Sequence, residues 1–558
     1  MDSNITTLAL LGLGAAATTA VLAKVKRRLE LSRAKHRSLT GHVRMSRRIA
    51  SLIPFYELSE ERFYVADDAP TEVVAKRRAA FARLAADYRA RFPKSIALKA
   101  EVKGILPDMQ FTDAYRVPFP FSRQVRDNLG ASPFLEHSAG VTLTDVDGNL
   151  YYDVTGSYGV NVLGYDFYKE SIARGAAEVA SLGPVLGTYH PAIAYNVKRL
   201  KEISGHDAVS FHMSGTEAVM QAVRLARYHT KRSHIVRFSG AYHGWWGEVQ
   251  PGIGNPTRAR ETWTLAEMSE ATLNVLRTRK NIACVLINPI QAMHPNGPPP
   301  GDSALVDGLR KVHFDKAAYA DWLRQLRQVC TDRGIVMILD DVFMGFRLAP
   351  GGSQEYFGVK ADMVTYGKTL GGGLPVGVVC GRADLMKRYR DDKPGDIVLA
   401  RGTFNSHPYV MGAMKAFLEH IATHNGRTIY DRLDETWNAR AADLNARLAE
   451  KKLPVRVTNM STIWSVTYDV PSRYSWMLQY YLRKHGVALS WVGTGRLIFS
   501  LNYTAADFDA LADRVIAAAE EMQADGWWWH DAEALAKQPL KRRVLREMIA
   551  QGVFGRSK

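Results

Sequence analysis

The side chain best placed for covalent chemistry is Lys368, in the run Tyr366-Gly367-Lys368-Thr369-Leu370-Gly371-Gly372-Gly373. A lysine amine in a glycine-rich turn after an apolar strand suits imine formation, because an aldehyde must approach it closely. The Gly-Lys-Thr triplet is not a nucleotide-binding P-loop, since that motif needs a glycine five residues before Gly367, where Asp362 stands. Upstream, Asp340 and Asp341 close the apolar run that ends at Leu339. Open α/β sheets place ligand groups at such strand ends, and a buried carboxylate there needs a cationic partner. A protonated pyridine nitrogen would serve; so would Arg347 in a purely structural pair.

Two further stretches complete the set. Met213-Ser214-Gly215-Thr216-Glu217 opens a helix directly after a strand. The amide groups of a helix start, with the Ser214 and Thr216 hydroxyls, form a phosphate cup; the same run also reads as an ordinary helix cap. Gly240-Ala241-Tyr242-His243-Gly244-Trp245-Trp246 sets an aromatic between glycines. Such a ring either lies flat on a planar cofactor or forms an aromatic core turn.

These residues need a scaffold that gathers strand ends. From Val141 strands and helices alternate, the mark of an α/β domain. The short apolar runs 208–212, 235–238, 283–287, 335–339 and 363–365 are predicted strands, and 217–231 and 319–333 predicted helices. Residues 294–302 read as a surface loop, and helices dominate after about residue 410. The chain has 558 residues, 46% hydrophobic and 23% charged, which supports a full core and excludes a disordered or low-complexity chain. Cys284, Cys330 and Cys380 lie far apart and form no CxxC pair, which excludes a disulfide scaffold and a zinc ribbon. No metal site is expected.

Taken together, the four stretches resemble the class III, fold type I aminotransferases that use pyridoxal 5′-phosphate. Within that family they are most similar to glutamate-1-semialdehyde aminomutase and related aminotransferases. The resemblance begins near Asp145-Val146-Asp147-Gly148-Asn149 and runs to about residue 524. It implies an α/β fold with a large, mostly parallel-sheet domain over 186–410 and a smaller α+β domain built from 116–185 and 411–530. It implies that Lys368 is the catalytic Schiff-base lysine and proton shuttle, and that Asp340 pairs with the pyridinium nitrogen. Val342 and Tyr242 would pack on opposite ring faces, and Ser214, Gly215 and Thr216 would hold the phosphate. His243 and Gln291 would complete the cofactor contacts, Gln291 near the ring hydroxyl. Thr403, in the Gly402-Thr403 turn, would reach a phosphate in the neighbouring subunit, so a homodimer is expected. Substrate contacts are expected at Tyr158 and Trp245.

The chain departs from the family pattern at several of these positions. Met213 stands where Asn is usual, Asn288-Pro289 replaces Glu-Pro, and Asp341 replaces Glu. At Trp245, acetylornithine-type members carry an arginine for the substrate α-carboxylate. An indole cannot make that bidentate contact, which disfavours an ornithine-like substrate. The implied reaction moves an amino group from an amino donor to an aldehyde or ketone acceptor. An apolar or lipid-like acceptor is expected, and an aminomutase of the glutamate-1-semialdehyde type is the alternative.

The net charge of +17 is concentrated at the two ends. Residues 24–50 hold ten Lys/Arg against Glu30, and 537–558 hold seven against Glu547, leaving a near-neutral body. Basic ends point to an anionic membrane surface rather than to nucleic acid, and no nucleic-acid motif appears. The uncharged run Ile5–Ala23 would form a helix about 28 Å long, close to the bilayer hydrocarbon. The preceding residues lack the positive charge of a signal peptide, and basic residues follow the run only on its C-terminal side. A single-pass membrane anchor over 1–30 is therefore expected, with the catalytic part cytoplasmic. A basic helical extension over 31–115 and a basic tail over 531–558 complete the plan. Trp527-Trp528-Trp529 either rests at a bilayer interface or packs against the body.

Overall fold

The computed structural model describes residues 2–37, 41–130, 134–250, 254, 255, 257, 259–294, 296, 312–489, 496–533 and 540–554, with the side chains of 2–15, 540, 541 and 552–554 outside that description. Most of the predicted loop 294–302 lies outside the described residues.

The central strands are apolar without alternation. Ile282–Ile287, Val336–Asp340 and Met363–Gly367 are buried at every position, as a sheet covered on both faces requires. Seven strands form this sheet, in the order Ala208–His212, Gly377–Gly381, Met363–Gly367, Val336–Asp340, Ile282–Ile287, His234–Phe238, Thr262–Leu265. Gly377–Gly381 runs antiparallel to both of its neighbours, and the remaining pairs are parallel. The sheet is thus mixed, and the strands other than Gly377–Gly381 all end on one edge. Its register sets Asp340 beside Thr365, and Gly377 beside both Gly367 and His212. The segments that follow His212, Phe238, Ile287, Asp340 and Gly367 therefore start from the same edge.

Helices Ala192–Ser204, Gly215–Thr230 and Lys316–Arg333 pack on this sheet. Helices Tyr165–Val179 and Pro408–Ala422 cross at close range. A Cβ on Gly175 would fall 2.2 Å from the Ala413 amide nitrogen, so only glycine permits that crossing.

A second core lies around two smaller sheets. Leu135–Ala139, Thr142–Asp145 and Leu150–Asp153 form one, extended by Val487–Ala488, which runs parallel to Leu150–Asp153. Val455–Met460, Ile463–Tyr468 and Arg496–Ile498 form the other. Phe63, Phe81, Tyr88 and Phe121 from the N-terminal extension share one apolar cluster with Trp437, Trp464, Trp476 and Trp527. The extension is therefore built into the fold. Arg77 is fully buried there. Its guanidinium donates to both Asp67 carboxylate oxygens at 2.7 Å and to the carbonyls of Tyr64 and Gly526 at 2.9 Å, and it lies 4.4 Å from the Tyr474 ring centroid. Of the two readings of the tryptophan run, packing holds for Trp527 and Trp528. Both are buried, and Trp527 Nε1 donates to the Tyr481 hydroxyl at 2.8 Å.

The expected membrane segment is corrected. Asp2–Arg33 is one helix, but no helix among the described residues is long and apolar enough to cross a membrane. This overturns the anchor over 1–30, the membrane partner and the single-pass location. The uncharged run is diluted by alanine, threonine and glycine, and the helix's last turns belong to the protein body. Leu31 packs on the main core, and Ala34 is fully buried and accepts from the Ala266 amide at 2.8 Å. Glu30 pairs with Arg279 at 3.1 Å. The C-terminal basic segment is engaged as well. Within helix Leu540–Phe554, Glu547 accepts from Arg473 and from Tyr56, each at 2.7 Å, and Arg543 pairs with Asp68.

The buried Arg77–Asp67 pair and the exposed Arg277–Glu270 pair make a matched test. Arg77→Ala strands a buried carboxylate and should cost about 3–5 kcal/mol. Arg277, 45% exposed and paired with a Glu270 that is 71% exposed, should cost less than about 1 kcal/mol on the same change. Thermal denaturation of the two variants, followed by circular dichroism, reads the difference.

Candidate active site

Lys368 follows directly on strand Met363–Gly367 and begins a 3-10 turn through Gly371. Its φ is +50°, in the left-handed region that a side-chain-bearing residue rarely adopts. The turn is held by close approaches only glycine allows. A Cβ on Gly372, itself at φ +62°, would fall 2.3 Å from the Ala413 carbonyl oxygen. Lys368 Nζ sits 4.8 Å from the Phe343 ring centroid. Burial of the amine lowers its pKa to about 8, against the upward pull of Asp340; Arg347 and Arg496 push it further down.

Asp340, the last residue of its strand, is buried. Its carboxylate accepts from His243 Nδ1 at 2.8 Å, from Thr365 Oγ1 at 3.2 Å and from the Val342 amide at 3.3 Å. Thr365 arrives there through the parallel register. Burial pushes the His243 pKa down, against the pull of Asp340, which favours a neutral ring donating through Nδ1. Asp341 serves a different purpose. Its oxygens accept from the Ser353 amide at 2.7 Å and from the Ser353 hydroxyl, and burial pushes its pKa up to about 7. Arg347, the alternative cationic partner, is committed elsewhere. It donates to Thr462 Oγ1 at 3.1 Å, to the Asn161 carbonyl at 3.0 Å and to the Phe499 carbonyl.

Val342 lies under the strand ends, between two glycines. A Cβ on Gly215 would come within 2.6 Å of Val342 Cγ1, and one on Gly367 within 3.2 Å. Ser214 caps helix Gly215–Thr230, its hydroxyl accepting from the Glu217 amide at 3.3 Å, while Glu217 accepts from the Met213 amide at 3.0 Å. The cap is thus satisfied within the chain, and the first-turn amides of Gly215 and Thr216 have no intrahelical acceptor. Thr216 is covered by Gly244, at φ +89°, where a Cβ would fall 2.6 Å from Thr216 Oγ1. Tyr242 is 55% exposed, and its carbonyl accepts from Asn288 Nδ2 at 2.9 Å. Gln291 Nε2 donates to the Gly240 carbonyl at 2.9 Å.

Lys368, Asp340, His243 and Val342 therefore converge at one sheet edge, with Ser214, Gly215, Thr216, Tyr242 and Gln291 on the segments that leave the same edge. Trp245 is 77% exposed, and Thr403 is exposed too, so neither is buried in this cluster. Tyr158 is 44% exposed, on a turn whose Gly159 reaches the lysine: a Cβ there would meet the Phe343 ring at 2.7 Å and Lys368 Cδ at 3.4 Å. Sequence reasoning missed Thr365, Phe343 and Asn288. The register of two adjacent parallel strands would have found Thr365, and the departure from Glu at Asn288 marked that position.

A sheet edge with a largely buried lysine, a hydrogen-bonded aspartate and a helix start defines a fold type I transferase. The class-III aminotransferase family model matches residues 126–249 and 315–518, and the chain belongs to that family. Glutamate-1-semialdehyde 2,1-aminomutase of Methanocaldococcus jannaschii is 30% identical over 372 residues, covering 64% of this chain and 78% of that enzyme. A solved transaminase with pyridoxal phosphate bound superposes with a TM-score of 0.62 at 25% identity, covering 78% of this chain and 99% of that one. A glutamate-1-semialdehyde aminomutase from Pseudomonas aeruginosa PAO1 shares the fold, with a TM-score of 0.63 at 19% identity over 80% of this chain and 99% of that one.

The cofactor of this enzyme class is pyridoxal 5′-phosphate, and the residues present fit it. His243 Nε2 and Gln291 Oε1 are buried without a hydrogen-bond partner among the described residues. Gly159, Gly215 and Gly244 let the backbone pack directly against Phe343, Val342 and Thr216, an approach that any side chain would block.

The lowered Lys368 pKa has a measurable consequence. In the apoenzyme, an amine-acylating reagent should modify the Lys368 peptide with a pH midpoint near 8, well below that of surface lysines. Asp340→Asn removes the charge that raises this pKa, so the midpoint should move down. Mass spectrometry of the labelled peptide checks both.

Proposed function

We propose that this class III aminotransferase moves an amino group from an amino donor to an aldehyde or ketone acceptor, with Lys368 as the reacting amine. The observation that carries the reading is that Lys368 and Asp340, opposite in charge, stand at adjoining strand ends, the carboxylate buried and the amine largely so. With a pKa near 8, roughly a tenth of the Lys368 amines are unprotonated at pH 7, against well under a thousandth at the ordinary lysine value. That makes Nζ a competent nucleophile and, once released, a base of suitable strength for the substrate proton.

When bound, pyridoxal phosphate supplies an electron sink for the carbanion formed on proton removal. Asp340 would hold the ring nitrogen in its protonated form, which keeps that sink effective. His243, Thr365 and the Val342 amide would keep the carboxylate oriented for that contact. Val342 and Tyr242 would bracket the ring, and Ser214, Gly215 and Thr216 would receive the phosphate. Lys368 Nζ would take the substrate proton and return it on the same face, since the glycine-bound turn fixes where the side chain can reach. Thr403, exposed in this chain, would serve a partner's phosphate, so the working unit proposed is a homodimer. Trp245 in place of a carboxylate-binding arginine supports an apolar acceptor. The names of the relatives support a second reading, an aminomutase of the glutamate-1-semialdehyde type.

Lys368→Ala should abolish the borohydride-trapped cofactor adduct and lower turnover at least 10²–10⁴-fold. An adduct mapped to another lysine would sink the assignment. Release of one keto product per holoenzyme on incubation with donor alone supports transfer; an isomerised product without keto release supports the aminomutase. Light scattering should give a dimer, and a monomer with full activity contradicts the role given to Thr403.

A further inference from the structure

Helix Tyr165–Val179 begins with two tyrosines three positions apart, Tyr165 and Tyr168, which share one face. Their hydroxyls reach the two segments that enclose the Lys368 side chain. One is the turn Gly156–Gly159, and the other is the 3-10 turn that Lys368 itself begins.

The turn at 156–159 needs enforcing. All four residues have positive φ, at 50°, 43°, 55° and 98°. Ser157 and Tyr158 take this conformation without being glycine, so their surroundings must hold them in it. A closed ring of hydrogen bonds does so. The Ser157 amide donates to Thr155 Oγ1 at 3.0 Å, and the Thr155 amide donates to Asp153 Oδ1 at 2.8 Å. Tyr165 Oη donates to Asp153 Oδ2 at 2.7 Å. A hydroxyl has one proton to give, so Ser157 Oγ, 2.8 Å away, is the donor to Tyr165. Asp153 is buried, and burial pushes its pKa up against the pull of these donors. The ring sets Gly159 against the Phe343 ring and the Lys368 side chain.

Tyr168 serves the other segment. It is buried, and its hydroxyl bonds Oγ1 of Thr369, the residue after the lysine, and accepts from the Val162 amide at 3.1 Å. A Cβ on Gly373, at φ +100°, would fall 3.3 Å from Tyr168 Cβ, so the helix lies directly on the glycine-rich turn. One turn of helix thus ties the lysine turn to its cover.

We propose that Tyr165 and Tyr168 are positioning residues, which hold the 156–159 turn and the Lys368 turn together and so keep the lysine amine largely away from water. The inference rests on the reading of Lys368 as the reacting amine and names what places it. Each tyrosine acts through a neighbour, Tyr165 through Ser157 and Tyr168 through Thr369. A buried tyrosine hydroxyl also stabilises a fold wherever it is bonded, and Tyr481 supplies that comparison. Its hydroxyl donates to the Asp525 carboxylate at 2.7 Å and accepts from Trp527 Nε1, in the second core.

The test is the pH midpoint at which an amine-acylating reagent modifies the Lys368 peptide of the full-length apoenzyme, read by mass spectrometry. Burial lowers the pKa of this amine, so admitting water raises it. Tyr165→Phe and Tyr168→Phe should each move the midpoint up by about half a pH unit or more, toward the ordinary lysine value of about 10.4. Tyr481→Phe should leave it in place. The charged groups that face the amine, Asp340, Arg347 and Arg496, are untouched by these substitutions, so the shift reports water. Circular dichroism shows that each variant is folded. Where a tyrosine variant does not fold, Ser157→Ala or Thr369→Val, which removes the other half of the same bond, decides in its place. An unchanged midpoint for either tyrosine, or an equal shift in Tyr481→Phe, overturns the inference. If the midpoints move as expected while the holoenzyme turns over no amino donor, this inference stands and the amino-transfer reading fails. If donors are turned over and the midpoints stay, the reading stands and this inference fails.

Discussion

A largely desolvated amine and a buried carboxylate at adjoining strand ends constrain the structure around them. Neither charge is comfortable away from water, and each has to be offset locally. Lys368 responds by giving up its proton more easily, with a pKa of about 8. Asp340 is offset by three donors, His243, Thr365 and the Val342 amide. The parallel pairing of Val336–Asp340 with Met363–Gly367 delivers both the carboxylate and Thr365 to one point. A one-residue slip would send Asp340 to the opposite face. Asp341 illustrates that alternative: it faces Ser353, and burial raises its pKa to about 7.

The two cores meet at this edge. Arg347, six residues past Asp341, reaches Asn161 from the N-terminal segment and Thr462 and Phe499 from the C-terminal one. A buried guanidinium with only uncharged acceptors is expensive, and its pKa falls to about 10 through burial. It is retained where three distant chain segments must be held in register beneath the lysine. The aromatic cluster around Trp476 and Trp527 extends the same linkage to residues 56–129.

Much of this was legible in the residues themselves. Strands such as Ile282–Ile287 are unbroken apolar runs, and the glycine-rich turn at Lys368 and the helix start at Ser214 are local patterns. What escaped depends on tertiary context. Gly377–Gly381 is framed by glycines and gives no strand signal, yet it pairs on both sides inside the sheet. The helix from Asp2 has the length of a membrane span, but lack of charge is not apolarity: alanines, threonines and glycines leave the run too weakly apolar to cross a membrane. Trp527 stood beside a basic stretch and was equally compatible with an interface or a core until Arg77 and Tyr481 were placed against it. The turn at 156–159, all at positive φ, sets Gly159 against Lys368 across more than 200 positions, a contact with no signature in a linear pattern.

The central claim is that Lys368 and Asp340 act on one cofactor. The most direct measurement is a crystal structure of the holoenzyme grown without substrate. The account predicts continuous electron density from Lys368 Nζ to the cofactor, with the Asp340 carboxylate within hydrogen-bond reach of its ring nitrogen. Density joined to a different lysine, or a ring nitrogen facing away from Asp340, would contradict it.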